Sequence, residues 1–579
     1  MYYADLHAHP SGKNFPRYYN NRKEDFQKEG AHLWDIPRSK IFALMKGLRG
    51  TSYSQSDVGS LIHYSGKLVY ASIYPLEEGF VKNMGTEKDP PAILLHIALR
   101  YTLRRIRFLL GDKVDYYEEL KAEWEFLQRK SGQPEKGAIT LHPSGGTNIL
   151  DTRKIVKGSY YILSQNPGPD PNFVNPWGSR DFIGIDELDA TIVKPDSTVL
   201  VLTIEGMHAL SMKNSNLPVE EHVLLERIAE IKRWPVFFMT FAHHFDNQLC
   251  AHAKSFFKPP LKWAPDQLRN MNYITEILSP DGRSVSRHSD PNKGFTPLGM
   301  TALLHLLGMR KNPDGSLVDD PSLGRRILVD TKHMSASSRR EFYESIVQPY
   351  NQSEGRRLAL DGKPPEGCLP VLASHSAYSG VATLDEMIAG YASENDEPRE
   401  GNHFNYWNIN LSAEDLQVIV QSGGLIGLNL DQRILGIMHR VKFFQVLAPG
   451  IFKDKSEKRN KTELIADNIL GMAKAMKDLN LGLHRYGPDR FSFWDCLCLG
   501  TDFDGGIDPV DEYSSAEKIG ELRKDLQKIF AEKYARGELR DFIDYEGQIP
   551  EIIDQIFWKN AYRFLKKHFQ AESQAFVGY

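Results

Sequence analysis

The sequence predicts an α/β fold of the (β/α)8 TIM-barrel type. Eight short runs of aliphatic and β-branched residues recur along the chain, and most are separated by segments long enough to hold a helix. Polar residues that can bind metal ions follow several of these runs. Because crossover helices make the strands parallel, the residues that follow the strands should meet at one rim.

The eight runs predict strands in a regular order. They are Tyr2–Leu6, Leu68–Ile73, Val199–Ile204, Val236–Phe241, Ile327–Val329, Leu369–Ala373, Leu425–Leu428 and Leu497–Leu499. Apolar residues at helical spacing predict helices between them. These helices are Pro218–Lys232, Thr301–Met309, Ser337–Val347, Ala413–Ser422 and Glu463–Leu479, and Ser515–His568 continues with helical patterns.

Long segments interrupt this rhythm and are interpreted as insertions in one domain spanning residues 1–579. They lie at about residues 10–66, 83–197 and 431–495. The second contains a helical pattern over Ala92–Lys130 and a loop-like stretch at Pro167–Asn172. In the third, the charged segment Lys453–Lys461 predicts a solvated loop. Such insertions could form a lid, a homodimer surface or a remodelled pocket.

The composition is typical of a soluble enzyme and gives no sign of a nucleic-acid-binding protein. The chain has 579 residues, of which 41% are hydrophobic and 25% charged, as in soluble enzymes with a large core. A net charge of -4 gives no electrostatic reason to expect nucleic acid or an anionic membrane as partner. The four cysteines are expected to be reduced. Without a leader or a long apolar run, the chain is expected to be cytoplasmic and without a membrane-spanning segment, or exported if a leader had been removed.

The first strand ends in the motif Asp5-Leu-His-Ala-His9. Alternate residues of a strand project to the same face, so His7 and His9 can share one metal ion. A His-x-His pair alone occurs in many chains. Its weight here comes from the other residues that follow predicted strands.

Carboxylates and histidines follow four more strands. Glu205 closes the third strand, where a carboxylate is costly unless it meets a metal ion, a cation or water. His333 and His375 follow the fifth and sixth strands, and Asp502 and Asp504 follow the eighth. The glycines after Asp504 predict that it turns away to hydrogen-bond the loop or to support a ligand.

Together these residues can hold two divalent ions, with Glu205 central enough to bridge them. The expected ligands are His7, His9, Glu205, His333, His375 and Asp502. Imidazole and carboxylate donors suit catalytic zinc, although cobalt, manganese and iron accept the same ligands. A water shared by two such ions would be the nucleophile of a hydrolysis.

Several motifs, in this order along the chain, resemble the membrane dipeptidase (renal dipeptidase, peptidase M19) family of amidohydrolase-like metal-dependent hydrolases. The motifs are Ile204–His208, Met239–His243, Gly294–Gly299, Leu328–Ser335, Pro370–Ser376, Gly500–Gly505 and Trp558–Arg563. They run through nearly the whole barrel. The resemblance implies that His7 and His9 bind one ion, that Glu205 bridges, and that His333 and His375 bind the second. It also implies that His243 contacts the substrate carbonyl and that Asp502 handles the proton.

The chain departs from that family in two places. The first motif of the family is usually His-x-Asp, whereas His9 replaces the carboxylate here and makes the first site less negative. The stretch Tyr406–Ser412 contains no arginine where the family has one for the substrate, and Arg399 lies upstream.

The expected reaction is two-metal hydrolysis of the amide bond of a small dipeptide. His243 would stabilise the oxyanion, and Asp502 would take a proton from water and pass it to the leaving amine. His244 should point elsewhere if the strand continues through it, and His208 is expected to support the site or to pack.

Three alternatives stay open beside this reaction. The same metal site could hydrolyse a different amide, a lactone or an ester, including a phosphoester. The chain could also be a metal-binding barrel that has lost turnover. A serine nucleophile is less favoured, because Ser374-His375-Ser376 lacks the Gly-x-Ser-x-Gly elbow.

Overall fold

Eight parallel strands form the centre of the computed structural model. They are β1 Tyr3–Ala8, β2 Gly66–Ile73, β3 Ser197–Glu205, β4 Phe238–Thr240, β5 Leu328–Asp330, β6 Leu372–Ser376, β7 Leu425–Leu428 and β8 Leu497–Leu499. The structure describes residues 2–19, 32–34, 54–77, 103–109, 114–141, 152–165, 182–211, 219–253, 274–278, 284–288, 293–390, 404–436, 455–484, 490–507 and 509–569. Each predicted strand overlaps one of the eight, so the predicted barrel is confirmed.

Each strand pairs in parallel with the next one along the chain. The ring closes between the ends of β1 and β8, where Ala8 and Phe503 form a parallel bridge. There the amide of His9 donates to the carbonyl of Phe503 over 2.8 Å, and the amide of Asp502 donates to the carbonyl of His7 over 2.9 Å. Closure therefore brings the two strands that carry His7 and Asp502 side by side.

Burial explains the composition of the strands. All nine residues of β3 and all eight of β2 are buried. Parallel strands covered on both faces favour continuous apolar runs over alternation, which is the pattern that the sequence shows. Where such a strand ends in a charged residue, as β3 does at Glu205, that charge needs a partner inside the rim.

Helices follow most of the barrel strands. They are Phe15–Tyr18, Val58–His63, Leu103–Leu109, Tyr116–Gln128, Leu188–Ile192, Glu221–Ile231, Pro297–Leu307, Ala336–Phe342, Gln348–Asn351, Leu384–Gly390, Ala413–Ser422, Lys455–Ala475, Ile519–Ala535, Ile549–Asp554 and Asn560–His568. Two π-helical turns lie at Tyr343–Val347 and Gln555–Lys559. Short 3-10 turns lie at Ile185–Glu187, Met207–Leu210, Pro321–Leu323, Lys477–Leu479, Phe493–Asp495, Asp511–Tyr513, Ala516–Lys518 and Glu546–Gln548.

Local signals account for individual helix ends. Ser412 caps Ala413–Ser422 by accepting from the amide of Asp415, whose side chain returns the bond, and the helix stops at Gly423 with a φ of 71°. The five helices predicted between strands are all present, Ala413–Ser422 with the predicted ends and the other four with shifted ends. The loop predicted over Lys453–Lys461 is wrong, because the helix Lys455–Ala475 begins inside it.

The segment predicted as the second insertion adds strands to the barrel sheet. Glu135–Leu141 and Thr152–Leu163 form an antiparallel hairpin. Thr152–Leu163 also pairs in parallel with the first half of β3 and with Phe182–Ile183. Further hairpins are Ile274–Leu278 with Ser284–His288 and Met309–Lys311 with Leu317–Asp319.

The predicted helical pattern Ala92–Lys130 contains two helices, Leu103–Leu109 and Tyr116–Gln128, while its first part lies outside the described residues. The predicted loop Pro167–Asn172 also lies outside them. Among the helices that the structure describes, none has a stretch long and apolar enough to cross a membrane.

Candidate metal centre

The predicted site residues converge at the C-terminal rim of the barrel. His7 lies in β1 and His9 follows it, Glu205 ends β3, and His375 lies in β6. His243, His333 and Asp502 each stand three residues after their strands, β4, β5 and β8. All except Asp502 are buried, and the Asp502 side chain keeps 13% of its surface exposed.

The first ligand group consists of His7, His9 and Asp502, whose ligand atoms lie within 4.8 Å of one another. The Nε2 atoms of His7 and His9 are 3.1 Å apart. Oδ1 of Asp502 lies 3.4 Å from Nε2 of His9 and 3.9 Å from Nε2 of His7. Three donors thus face one point at the junction of β1 and β8.

The second ligand group consists of Glu205, His333 and His375. The Nε2 atoms of His333 and His375 are 3.2 Å apart. Oε1 of Glu205 lies 3.4 Å from the first and 3.7 Å from the second. Its other oxygen, Oε2, lies 3.3 Å from Nε2 of His9 in the first group. One carboxylate therefore faces both groups.

These distances fit bound divalent ions. Two nitrogens on one tetrahedral zinc ion, each at about 2.0 to 2.1 Å, would be about 3.3 Å apart. The two imidazole pairs have nearly that spacing, at 3.1 and 3.2 Å. Direct nitrogen-to-nitrogen contact in two buried pairs needs a proton or a cation between the lone pairs. The donors are imidazole and carboxylate, which several divalent metals accept.

Two of the site residues have left-handed backbone conformations. The φ angles of His333 and Asp502 are 66° and 60°. Such conformations are uncommon outside glycine and persist where the surrounding structure enforces them. Next to Asp502, the Asp5 carboxylate accepts from the amide of Thr501 over 2.9 Å and from its hydroxyl over 2.6 Å. The backbone at His333 and Asp502 is thus held in a conformation of higher energy, which sets the direction of each side chain.

Two glycines make room for the site. Gly206, directly after Glu205, has a φ of 89°, and a Cβ there would overlap the ring of His208 and lie 3.0 Å from Cβ of His243. A Cβ on Gly505 would overlap the Asp502 carboxylate and lie 2.9 Å from Cδ2 of His9. A side chain at either position would displace a ligand-group residue or its neighbour.

The pKa of His9 is raised, whereas the pKa values of His333 and His375 are lowered. Burial alone would lower the pKa of His9, but hydrogen bonds to Asp502 and Glu205 raise it to about 10. Burial lowers the pKa of His333 to about 3 and that of His375 well below its ordinary value. Although burial opposes ionisation of Glu205, His243 and His7 hold the pKa of this carboxyl well below its usual range. The second group thus holds neutral imidazoles beside a charged carboxylate, the form that metal ions require.

Supporting side chains orient the site residues, a role that the sequence analysis assigned to neither Glu77 nor Ser374. Nδ1 of His243 lies 2.5 Å from Oε2 of Glu77, and the amide of Phe245 donates to Oε1 of the same carboxylate over 3.2 Å. The hydroxyl of Ser374 lies 2.8 Å from Nδ1 of His375 and 3.2 Å from Nδ1 of His7. Glu77 follows β2 by four residues, so the strand-end rule that found Glu205 could also have found it.

Asp504 turns away from the ligand groups, as predicted. Its carboxylate accepts from the amides of Gln55 and Ser56 over 2.9 to 3.0 Å and from the hydroxyl of Ser54 over 2.9 Å. The segment that includes Ser54 belongs to the first insertion. Asp504 therefore fastens that insertion to the end of β8.

The expectation for His244 is wrong. The chain is no longer extended after β4, so alternation does not apply, and the ring centroid of His244 lies 4.7 Å from that of His333. His243, His244 and His333 also form a group of nearby ligand atoms. The ring of His208 stacks on His243 at 5.6 Å, and its Nε2 donates to the carbonyl of Pro75 over 2.9 Å, so His208 supports the site.

Arg399 lies outside the described residues. The stretch around Tyr406 packs near another arginine, since the Asn405 side chain donates to the carbonyl of Arg433 over 2.8 Å. The Arg433 guanidinium pairs with Asp431, beyond the end of β7. The backbone of Arg433 thus lies beside this stretch, while its guanidinium is held by Asp431.

Comparison with known proteins gives distant matches. The sequence matches no family profile and no curated protein. Similar solved structures include the probable dipeptidase PvdM from Pseudomonas aeruginosa, with 12% identity over 87% of this chain and 88% of that chain and a TM-score of 0.36. A metallo peptidase from Rhodobacter sphaeroides, liganded with a phosphinate mimic of the dipeptide L-Ala-D-Ala, has 10% identity over 98% and 99% of the two chains and a TM-score of 0.40. The dipeptidase AC, a metallo peptidase of family M19, has 11% identity over 92% and 97% and a TM-score of 0.38. All three TM-scores are low, so any function of this chain has to be argued from its own side chains.

Proposed function

We propose that this chain is a metal-dependent hydrolase that cleaves the amide bond of small dipeptides. The observation that carries the proposal is the position of Glu205, whose two carboxylate oxygens face two separate ligand groups. A carboxylate shared between two three-ligand groups can hold two metal ions close together, as in two-metal hydrolytic sites. Zinc is the first candidate for both ions because the donors are imidazole and carboxylate.

Bound ions would supply activation of a water and polarisation of the scissile carbonyl. The chain's own residues would move the proton. Asp502 is the most exposed member of the ligand groups, and its two oxygens face Nε2 of His9 at 3.4 Å and Nε2 of His375 at 3.9 Å. A carboxylate between both groups can take a proton from water and deliver it to the leaving amine.

His243 would bind the carbonyl oxygen as it becomes negative. Its Nδ1 is occupied by Glu77 at 2.5 Å, so Nε2 is the nitrogen that faces the site, 3.6 Å from Oε1 of Glu205. Burial alone would lower the pKa of His243, but Glu77 and Glu205 raise it above its ordinary value. A protonated imidazole held by a carboxylate is a suitable donor to an oxyanion.

Support for a dipeptide as substrate comes from the motifs around these residues, which resemble the membrane dipeptidase family. The fold by itself would allow other amides, lactones or esters. The hydrolysis panel described next separates these substrates.

The test is the metal content of the purified chain by elemental analysis, together with hydrolysis of L-L, L-D and dehydro dipeptides before and after chelation. We expect about two divalent ions per chain and cleavage that stops on chelation and returns with metal. A lactone and a phosphoester in the same panel identify the alternative reactions. Bound metal with no cleavage of any dipeptide would overturn the substrate assignment, and absence of bound metal would overturn the mechanism.

A further inference from the structure

The helix Tyr116–Gln128 belongs to the second insertion but reaches the rim of the barrel. Asp115 caps it by accepting from the amide of Tyr117 over 3.0 Å, and Glu118 and Glu119 lie in its first turn, where the helix dipole favours acidic residues. Its side chains at Tyr116, Leu120 and Glu123 are buried. Burial of two apolar residues is ordinary packing, whereas burial of Glu123 calls for a reason.

The Glu123 carboxylate binds two loops of the barrel. Oε1 accepts from the hydroxyl of Ser11 over 2.6 Å, and Oε2 accepts from the amide of Tyr74 over 3.0 Å. Ser11 lies two residues after His9, and Tyr74 directly follows β2. One carboxylate from the insertion therefore fixes the loop that carries His9 and the loop that follows the neighbouring strand.

The ring of Tyr74 stands between two parts of the site. Its centroid lies 5.0 Å from the ring of His9 in a T-shaped contact and 5.5 Å from the ring of His243. Both histidines are buried, while Tyr74 keeps part of its surface exposed. Tyr74 thus lies, partly exposed, beside the first ligand group and beside the histidine that is proposed to bind the scissile carbonyl.

The same helix supports the site at a third place. The ring of Tyr116 makes a T-shaped contact with His208 at 5.4 Å, and His208 stacks on His243 at 5.6 Å. The helix therefore braces the loops after β1, β2 and β3 together. A peripheral helix that served only to cover the barrel would not need contacts to each of these loops.

We propose that Tyr74 is a specificity-determining residue, held by Glu123, that forms an aromatic wall for the acyl-side residue of the substrate. This inference rests on the proposed function. The Tyr74 ring centroid lies 5.5 Å from that of His243, so a substrate whose carbonyl oxygen binds Nε2 of His243 can bring the residue that carries this carbonyl against Tyr74. Because the ring offers apolar surface, it favours dipeptides whose first residue is apolar over those that begin with glycine.

The experiment compares kcat/KM for dipeptides that begin with glycine, alanine, leucine or phenylalanine, each with the second residue that the wild-type chain cleaves best. We expect the wild type to prefer leucine or phenylalanine to glycine about tenfold or more. Tyr74→Ala should lose that preference, whereas Tyr74→Phe, which keeps the ring, should retain it. Metal content is measured for every variant and should equal that of the wild type.

Glu123 is tested as a positioning residue. Glu123→Gln should weaken the same preference, with a rise in KM for the leucine substrate that exceeds the fall in kcat. Glu118→Gln is the matched control, because Glu118 is exposed on the same helix. If Glu123→Gln does not fold, Ser11→Ala removes a single donor to that carboxylate and should shift the preference in the same direction.

The outcomes separate the two proposals. An active wild type whose preference is unchanged in Tyr74→Ala would overturn the role of Tyr74 and leave the proposed function standing. If Glu123→Gln changes the unfolding temperature but not the substrate preference, Glu123 has a structural role only, and its proposed role in positioning Tyr74 is overturned. A wild type that cleaves no dipeptide would overturn the proposed function and this inference together.

Discussion

Nδ1 of His243 lies 2.5 Å from Oε2 of Glu77, and the two residues stand 166 positions apart in the chain. Glu77 follows β2, and His243 follows β4, so the pair spans the rim across β3 and its last residue, Glu205. Glu77 is buried, and although burial opposes ionisation, His243 and His208 hold the pKa of its carboxyl below the usual range. The pair fixes which nitrogen of His243 faces the ligand groups.

Glu77→Gln should therefore lower kcat with little effect on bound metal. Glutamine keeps the shape of the side chain but cannot stabilise a protonated imidazole by charge. Loss of such a support typically costs about 10-fold to 100-fold in activity. Glu220→Gln, an exposed carboxylate, is the control. An unchanged kcat together with unchanged metal content would show that His243 does not need this partner.

Asp502→Asn should abolish most turnover, by about 100-fold or more, and keep the metal. Asparagine has the same shape and tolerates the left-handed backbone that Asp502 adopts, so the loop should not change. His7 and His9 remain as ligands of the first group. Turnover and elemental analysis of the same sample give the answer. Turnover equal to that of the wild type would favour a different proton carrier.

The two ligand groups should lose metal differently. His375→Ala removes a donor of the second group alone, so we expect about one ion per chain in place of two. Glu205→Gln weakens both groups, because its oxygens lie 3.3 Å from His9 and 3.4 Å from His333. His305→Asn, on the helix Pro297–Leu307, is the control. Equal metal loss in His375→Ala and Glu205→Gln would contradict a shared carboxylate.

Metal binding should release a proton from His9. Asp502 and Glu205 raise its pKa from 6.5 to about 10 against the effect of burial, so the metal-free chain holds this proton at pH 8. Its contribution to stability is complete below pH 6.5 and is lost as the pH rises through 10. Metal affinity should therefore increase with pH across this range.

Calorimetry in buffers of different ionisation enthalpy measures the released protons. At pH 8 we expect the wild type to release about one proton more than His9→Asn, which has no titrating imidazole at this position, because ionisation of a metal-bound water would contribute equally to both. Burial keeps His333 and His375 neutral, so they add none. Proton release that is the same in wild type and His9→Asn would place the proton on another group.

Asp504→Ala should destabilise the fold. The variant loses the acceptor for the amides of Gln55 and Ser56 and keeps a left-handed backbone, with φ at 66°, that alanine disfavours. Hydrogen bonds to a charged acceptor contribute about 1.5 to 3 kcal/mol each, and the expected loss in the free energy of unfolding is about 3 kcal/mol. Denaturant unfolding measures it, with Asp314→Asn on the surface as control. A loss below about 1 kcal/mol would mean that the first insertion is held by other contacts.

Much of the barrel could be predicted because its signals are local. A buried parallel strand needs a continuous apolar run, and β2 and β3 show one. The helix ends were predicted less accurately than the strands. For example, the helix Lys455–Ala475 begins in a charged segment whose composition is typical of a loop. Charge on a short segment does not decide whether a longer amphipathic helix includes it.

The sequence by itself determined the strands and the residues at their ends, because a closed parallel barrel places those ends at one rim. It could therefore predict that His7, Glu205 and Asp502 lie close together. Only the tertiary structure decided where the chain turns after each strand, which brought His244 against His333 and paired Glu77 with His243. The same holds for Glu123, which reaches Ser11 and Tyr74 from an inserted helix. Such contacts depend on how segments far apart in the sequence pack together, and no local sequence pattern predicts that packing.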